Sequence, residues 1–270
     1  MWMQYWGFVR DPFDQHTSPF VPLPAHCEAV ARLTEAVESG QRLTIFEERG
    51  GMGKSRVLGE FSRTIRSLDR RIVSLGGIID GATLFTRAAE GLGRPVPAGT
   101  SRGGAWLRLG EGLKLCRSQK LQVVIIVDDC QDLCTTEDRK DLSRLVHADP
   151  HPSGRLSIIQ VYRLEEESPH READPWELAI DLPPLLRSEC EFYVASKLEA
   201  AGRTGPTFTS RALNRLHALS EGSPRGIERI ATLALMAGAV GKVEIITDAL
   251  IEAVLSQFRI ARLGVSSNVA

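Results

Sequence analysis

The sequence predicts an α/β fold with a parallel β-sheet, followed by a smaller domain built only of helices. As far as Pro184, short apolar runs alternate with amphipathic helical patterns, which is typical of parallel strands joined by crossover helices. Beyond Pro184 the strand patterns stop, and four helical patterns follow one another. We therefore place a domain boundary near Leu185. The predicted parts are an α/β domain, a helical domain and a flexible tail, at residues 1–185, 186–260 and 261–270.

Five apolar runs supply the predicted strands. The run L-Q-V-V-I-I-V is rich in β-branched residues, as expected of a strand that is buried on both faces of a parallel sheet. Together with the intervening helices, five such strands predict a three-layer core. In chain order the strands are predicted at Leu43–Phe46, Arg71–Ile79, Leu121–Val127, Arg155–Tyr162 and Leu178–Leu182.

Helical periodicity and capping residues mark the other elements. Before Pro184, helices are predicted at His26–Glu38, from Ser55 to Leu68, and at Ala82–Leu92, Gly104–Arg117 and Glu137–His147. After Pro184, they are predicted at Ser188–Ala201, Ser210–Ser220, Pro224–Ala239 and Thr247–Phe258. Thr209 and Ser223 suit helix N-caps, and Pro224 suits a first helical position. Loops are predicted at Gly93–Gly103, Asp149–Gly154 and Ser168–Pro175.

The composition is typical of a globular protein with one large domain and one small one. The chain has 270 residues, 43% of them hydrophobic and 25% charged, and its net charge is −1. This charge argues against a globally basic nucleic-acid-binding protein, although it leaves room for a local basic patch. Arg63, Arg66, Arg70 and Arg71 could form such a patch. A solvated helix face is the alternative that we favour for them.

The five cysteines do not form a metal-binding pattern. Cys130 and Cys134 are four residues apart, with no second pair at the spacing that zinc requires. Buried free thiols in a reducing cytoplasm are therefore expected. The N-terminus lacks the features of a signal peptide, and the longest apolar tract, Ile230–Val240, is too short to span a bilayer. We expect a cytoplasmic protein without a membrane segment.

The N-terminal segment is rich in aromatic side chains. Six of the sixteen aromatic residues in the chain lie within the first twenty positions. Disordered segments are poor in such residues. We therefore expect residues 1–25 to form a docking segment of the first domain.

The segment Glu48–Ser55 (E-R-G-G-M-G-K-S), here called the phosphate loop, lies between an apolar strand pattern and a helical pattern. In that context a glycine-rich loop binds phosphate, because its backbone N–H groups and the positive end of the next helix point at the anion. Lys54 would reach the β- and γ-phosphates, and Ser55 would offer a hydroxyl to Mg²⁺. The predicted binding residues of this loop are Gly50, Gly51, Met52, Gly53, Lys54, Ser55 and Arg56.

One position departs from the phosphate-binding pattern, because Glu48 stands where a glycine is usual. Its carboxylate would repel a polyanion, but at the end of a strand it can turn outward. The alternative reading of the loop is a glycine-rich turn with a chance Lys-Ser pair.

Two acids follow the predicted central strand directly, at Asp128 and Asp129. The end of a strand in an open α/β sheet lies at the edge where ligands bind. Asp128 would hold Mg²⁺ and Asp129 would orient the attacking water, so we predict Asp129 and Lys54 as the catalytic residues. Two acids in an ordinary surface turn are the alternative.

A third motif, Glu221-Gly222-Ser223-Pro224-Arg225, opens a helix of the second domain. Arg225 falls in the first helical turn, where cations are disfavoured unless an anion is near. A nucleotide phosphate would supply that anion. A surface arginine paired with Glu228 or Glu221 is the alternative.

Taken in order, these motifs resemble the ExeA/GspA-like ATPases of the AAA+ class, in the clade of origin-recognition and transposition-helper proteins. The resemblance extends over nearly the whole chain. Besides the phosphate loop, the similar segments are Tyr5-Trp6-Gly7-Phe8 with Pro12-Phe13, His26-x-Glu28-Ala29 with Arg32-Leu33, Asp128–Leu133, Leu182–Leu185, Gly222–Arg225 and Ile246-Thr247.

The resemblance implies a five-stranded parallel core and a helical lid, with ATP and Mg²⁺ bound between them. It assigns Arg225 as the lid arginine, known in the class as sensor 2. It further implies slow, assembly-dependent ATP hydrolysis in a ring or filament, where a neighbouring subunit lends an arginine. Arg139, Arg144 and Arg155 are the candidates for that arginine.

The sequence departs from the family at several positions. Besides Glu48, Asp129 replaces the usual glutamate and Cys130 the usual alanine. Arg163 follows the fourth strand where the family often has a glycine-glutamine pair, which leaves the sensor-1 residue unassigned. Full-length ExeA proteins also carry a transmembrane helix and a peptidoglycan-binding domain, and neither is found in this sequence.

Three functions are therefore open. The first is an ATPase that couples nucleotide turnover to assembly in secretion or envelope biogenesis, with a partner protein there. The second is a nucleotide-gated helper that binds duplex DNA. The third is an ATP-binding scaffold with little turnover, which Glu48 and Asp129 would explain.

Overall fold

The structure is a computed structural model that describes residues 2–14, 17–78, 80–133, 135–164 and 178–265. The chain divides into two compact units. The α/β unit holds Ala25–Gly50 and Lys54–Leu182, and the helical unit holds Met1–Pro24, Gly51–Gly53 and Pro183–Ala270. The division near Pro183 lies close to the boundary that the loss of strand patterns predicts.

The elements are numbered in chain order. The strands are β1 (Leu43–Arg49), β2 (Arg70–Leu75), β3 (Gln122–Val127), β4 (Leu156–Leu164) and β5 (Leu178–Leu182). The helices are α1 (Trp2–Trp6), α2 (Pro24–Glu38), α3 (Lys54–Thr64), α4 (Gly81–Gly91), α5 (Arg102–Ser118), α6 (Thr136–Val146), α7 (Arg187–Ala200), α8 (Ser210–Ser220), α9 (Pro224–Val240) and α10 (Asp248–Val265).

The five strands form one parallel sheet in the order β2-β3-β4-β1-β5. Every residue of β3 is buried. Alternate residues of β3 pack with α4, α5 and α6, and the residues between them are buried on the opposite face. This sheet confirms the predicted α/β class. Because all strands are parallel, the carboxyl ends of β1, β3 and β4 meet at one edge.

Several element boundaries differ from the sequence prediction; for example, β1 continues to Arg49 and α10 continues to Val265. The helix after the phosphate loop ends at Thr64 rather than at Leu68, whose side chain is fully exposed in the turn before β2. A turn is needed there because the chain must reverse to enter β2 as a parallel strand. β2 ends at Leu75, before the two glycines. The predicted loop Ser168–Pro175 lies outside the described residues.

In the helical unit, the N-terminal segment packs on the helices that follow Pro183. Trp6 is 2% exposed, and its indole N–H donates to the carbonyl oxygen of Leu235 on α9 at 2.8 Å. The guanidinium of Arg203 lies over the same ring, 5.1 Å from its centre. We expected this segment to belong to the α/β domain, but its buried aromatic side chains place it in the helical unit.

Helix starts in this unit follow the sequence signals. The hydroxyl of Thr209 accepts from the N–H of Ala212, and that of Ser223 accepts from the N–H of Gly226. Pro224 occupies the first position of α9. Across the described part of the chain, no helix combines the length and the apolar character that a bilayer crossing requires.

Gly238 on α9 gives a direct test of the packing around Trp6. A Cβ at this position would lie 2.9 Å from Cζ2 of Trp6, so we expect Gly238→Ala to lower the free energy of unfolding by about 1–3 kcal/mol. The control is Gly110→Ala in α5, where a Cβ meets nothing within 4 Å. Alanine there should raise stability by up to about 1 kcal/mol. Urea unfolding followed by circular dichroism measures both; stabilisation by both substitutions would contradict the packing.

Candidate nucleotide-binding site

The backbone of the phosphate loop takes the conformation that its glycines permit. Gly51 and Gly53 have φ angles of +93° and +104°, in the left-handed region that side chains disfavour. Across the residues that the structure describes, the N–H groups of these two glycines donate to no acceptor. Donors left open in a curled loop at the start of a helix fit an anionic ligand such as phosphate.

Within the helical unit, Gly51 contacts the start of α9. Its carbonyl oxygen accepts from the N–H of Arg225 and from the hydroxyl of Ser223, both at 3.2 Å. A Cβ at Gly51 would lie 2.8 Å from the Ser223 oxygen, so no other residue fits without a shift. The third sequence motif therefore reaches the middle of the phosphate loop through two hydrogen bonds.

Glu48 turns into the phosphate loop, so the expectation that it points outward is wrong. It is 6% exposed, and its Oε2 accepts from the backbone N–H of Lys54 at 2.9 Å. The physical reason is that the first N–H groups of a helix have no partner within the helix and lie at its positive end. A carboxylate at the end of β1 satisfies one of these donors.

Lys54 joins the phosphate loop to the two acids that follow β3. Its ammonium lies 2.8 Å from Oδ1 of Asp128 and 3.2 Å from Oδ1 of Asp129, and the residue is 4% exposed. Burial alone would lower the pKa of Lys54. The hydrogen bond and charge of Asp128, joined by those of Asp129, outweigh burial and hold that pKa above its ordinary value. Lys54 is therefore charged at neutral pH.

Asp129 is held by several donors at once. Its Oδ1 accepts from the side-chain amide of Gln131 at 3.1 Å and lies 3.6 Å from the guanidinium of Arg163. Burial alone would raise the pKa of Asp129, but the hydrogen bond of Gln131 and the charge of Lys54 outweigh it and lower that pKa. The backbone of Asp129 is left-handed, with φ of +54°. A carboxylate fixed and ionised in this way can orient a polar ligand.

Sequence reasoning did not assign Gln131 or Arg163 to the site. Gln131 also accepts the backbone N–H of Arg163 at 2.9 Å and so ties the turn after β3 to the end of β4. The Arg163 side chain lies beside Gly50. The signal for Gln131 was its place two residues after Asp129. For Arg163 the missing information was the sheet order, which puts β4 between β3 and β1.

The remaining loop residues divide into buried and accessible ones. Met52 is buried, whereas Ser55 is exposed in the first turn of α3 and Arg56 is half-buried next to it. Ser55 and Asp128 offer hydroxyl and carboxylate oxygens, the ligands that Mg²⁺ prefers. The described residues contain no cluster of three or more His, Cys, Asp or Glu placed to bind a metal. Mg²⁺ held by one or two protein ligands and by phosphate oxygens needs no such cluster.

Arg225 is exposed, and in the part of the chain that the structure describes its guanidinium forms no ion pair. The expected alternative partner, Glu228, is engaged elsewhere. Its carboxylate accepts from the hydroxyl of Tyr193 at 2.6 Å and lies 3.6 Å from the ammonium of Lys197. The positive side chain at the start of α9 is therefore available to an anion.

Three arginines were predicted as candidates to complete the site of a neighbouring subunit, and they differ in their contacts. The guanidinium of Arg144 lies 2.8 Å from Asp141 and 3.2 Å from Glu137. Arg139 and Arg155 are exposed. Arg144 would have to break two ion pairs in order to serve in trans, so Arg139 and Arg155 are better placed.

Cys130 is a core residue rather than a reactive group. It is 3% exposed, its thiol donates to the carbonyl oxygen of Val127, and burial raises its pKa to about 12. Cys116 and Cys190 are also buried, but Cys27 is exposed, so the expectation of buried thiols is wrong for Cys27. Cys27 lies on an outward face of α2. Cys134 lies outside the described residues.

Among the solved structures that share this fold are two that were determined in complex with DNA. The Drosophila ORC bound to DNA matches with a TM-score of 0.74 and 14% identity, over 96% of this chain and 67% of that chain. The Aeropyrum pernix ORC1 protein in complex with DNA matches with a TM-score of 0.70 and 17% identity, over 93% and 70% of the two chains. The parallel sheet and these likenesses show the predicted fold, which is the fold of P-loop proteins of the AAA+ class.

Sequence similarity to a curated protein gives a narrower assignment. The chain is 23% identical to the general secretion pathway protein A of Aeromonas hydrophila over 245 residues, which are 88% of this chain. It spans 45% of the length of that relative. No protein-family model matches the chain. This similarity supports the resemblance of the chain to ExeA/GspA-like ATPases.

Proposed function

We propose that the chain binds ATP with Mg²⁺ at the phosphate loop. The observation that carries this proposal is the pairing of the Lys54 ammonium with Asp128 at 2.8 Å and with Asp129 at 3.2 Å, beside open loop amides. A lysine held by carboxylates can exchange them for phosphate oxygens, since both are anionic oxygen acceptors. Ser55 and Asp128 would hold Mg²⁺, which neutralises phosphate charge when bound. Gly50, Gly51, Met52, Gly53 and Arg56 would line the phosphates.

Arg225 is proposed as a sensor of the terminal phosphate. Two facts support this role: the backbone of Arg225 is hydrogen-bonded to Gly51 in the phosphate loop, and its guanidinium has no ion pair among the described residues. The charged group would bind the γ-phosphate and lose its partner when that phosphate leaves.

We also propose slow ATP hydrolysis that depends on assembly. Asp129 is the residue placed to orient water, because it is ionised and held by Lys54, Gln131 and Arg163. Positioning and charge stabilisation do most of the work in phosphoryl transfer. Arg139 or Arg155 from a neighbouring subunit would complete the site in a ring or filament. We place the protein in the cytoplasm.

Two biological processes are candidates for the role of this proposed ATPase. The similarity to a general secretion pathway protein supports a role in secretion or envelope assembly, with a partner protein there. The similarity to two proteins solved in complex with DNA supports a nucleotide-gated DNA-binding helper. The proposed basic cluster gives the second little support, because Arg63 pairs with Glu60 and Arg70 with Glu38. A gel shift on duplex DNA, which should weaken steeply with salt, separates the two.

Replacing Lys54 tests nucleotide binding directly. We expect Mg-ATP to raise the melting temperature of the wild type and Lys54→Ala to lose about ten- to a hundredfold in affinity, because a charge-assisted contact is removed. Lys114→Ala, at an exposed position of α5, is the matched control and should bind as the wild type does. Calorimetry measures the Mg-ATP affinity of the wild type and of both variants. A wild type that shows neither a thermal shift nor heat at millimolar ATP would refute the proposal.

Replacing Asp129 separates binding from turnover. We expect Asp129→Asn to bind ATP and to lose about a hundredfold or more in turnover, because the water-orienting charge is gone. Asp132→Asn, in the same turn, is the control for the loss of one charge. Turnover per subunit should also rise with protein concentration. A rate per subunit that is constant on dilution would exclude the arginine from a neighbour, and full activity of Asp129→Asn would exclude the role of Asp129.

Replacing Arg225 tests the phosphate sensor. We expect Arg225→Ala to weaken ATP binding by about ten- to a hundredfold and ADP binding much less, because ADP lacks the contacted phosphate. Arg229→Ala, one turn along α9 and exposed, is the matched control. Calorimetry with both nucleotides gives the comparison. Equal losses for ATP and ADP, or none for either, would remove the sensor role.

A further inference from the structure

The phosphate loop already holds an anion that belongs to the protein. The Glu48 carboxylate, at the end of β1, accepts the backbone N–H of Lys54 at 2.9 Å. That N–H opens α3, an 11-residue helix whose positive end points at the loop. It is one of the donors that a bound phosphate would need. A single N–H cannot serve two anions at full strength, so a phosphate and Glu48 compete for the same donor.

The two kinds of carboxylate around Lys54 differ in burial. Asp128 and Asp129 hold the side-chain ammonium, and their side chains are 28% and 31% exposed. Water can therefore solvate these two carboxylates when a phosphate replaces them at the Lys54 ammonium. Glu48 is 6% exposed, so its carboxylate leaves a buried position only if the surrounding loop rearranges. Displacing Glu48 is thus the larger obstacle to a ligand, and a glycine at this position would present none.

We propose that Glu48 is a built-in competitor of the nucleotide. In the nucleotide-free protein its carboxylate occupies the Lys54 amide, and it must withdraw before a phosphate accepts that bond. This proposal rests on the proposed function and adds to it a control on nucleotide loading. The apparent affinity is the intrinsic affinity multiplied by the fraction of molecules in which Glu48 is withdrawn. If that fraction is about one tenth, binding is about tenfold weaker.

A purely structural role for Glu48 makes a different prediction for nucleotide binding. A carboxylate that only caps α3 stabilises the free protein and has no influence on the ligand. Both roles predict a lower melting temperature of the nucleotide-free protein when the charge is removed. Only the competitor role predicts that the same substitution strengthens ATP binding. The two readouts taken together distinguish the roles.

The test compares Glu48→Gln and Glu48→Gly with Glu47→Gln. Glu47 is the neighbouring residue of β1 and is half-buried, and its side chain forms no hydrogen bond or ion pair among the described residues. Its substitution removes the same charge and so measures the long-range effect of charge alone. Glutamine keeps the size of Glu48 but is a weaker acceptor, and glycine removes the competitor. Calorimetry with Mg-ATP gives the affinities, and thermal unfolding without nucleotide gives the stabilities.

We expect Glu48→Gly to bind Mg-ATP about five- to tenfold more tightly than Glu47→Gln, the change that one helix-capping bond represents. Glu48→Gln should lie between them, and both should unfold at a lower temperature than the wild type when nucleotide is absent. If the Glu48 variants bind no more tightly than Glu47→Gln while the wild type binds, the competitor is refuted and the proposed function stands. If the wild type and all variants fail to bind, both are refuted.

Discussion

The candidate site depends on the pairing of the buried Lys54 ammonium with the carboxylates of Asp128 and Asp129. Lys54 is 4% exposed, and a charge on so deeply buried a residue is costly unless carboxylates pair with it. Asp128 and Asp129 supply that pairing, and they can do so only because β3 ends at the same sheet edge as the start of α3. The glycine conformations of the loop and the buried apolar run of β3 both serve to hold this one charge in place.

In the ligand-free site, the Lys54 ammonium and the first amide of α3 are paired with carboxylates of the protein itself. Glu48 takes the first amide of α3, and the two aspartates take the ammonium of Lys54. Gln131, in the turn after β3, and Arg163, at the end of β4, then hold Asp129. Under the proposed function, each of these carboxylates competes with a phosphate oxygen, so a nucleotide would have to replace these contacts. The strength of ATP binding would then depend on how readily the carboxylates leave.

The sequence predicted the sheet and the main elements of the site because both depend on local signals. A run such as L-Q-V-V-I-I-V favours a strand that is buried on both faces of a parallel sheet. A glycine loop before Lys54 and Ser55 is typical of phosphate binding. The direction of Glu48 was not predictable, since it depends on which donor lies within reach after folding. The position of Arg163 depends on the order of strands, and the docking of Trp6 on α9 depends on a contact between distant parts of the chain.

We propose that this loop binds the phosphates of ATP. Hydrogen exchange of the loop amides, with and without Mg-ATP, tests it at the residues concerned. The N–H groups of Gly51 and Gly53 donate to no acceptor among the described residues and should exchange quickly in the free protein. With Mg-ATP they should exchange more slowly, because the phosphates accept them. Exchange at these glycines that is unchanged by millimolar Mg-ATP would contradict the claim.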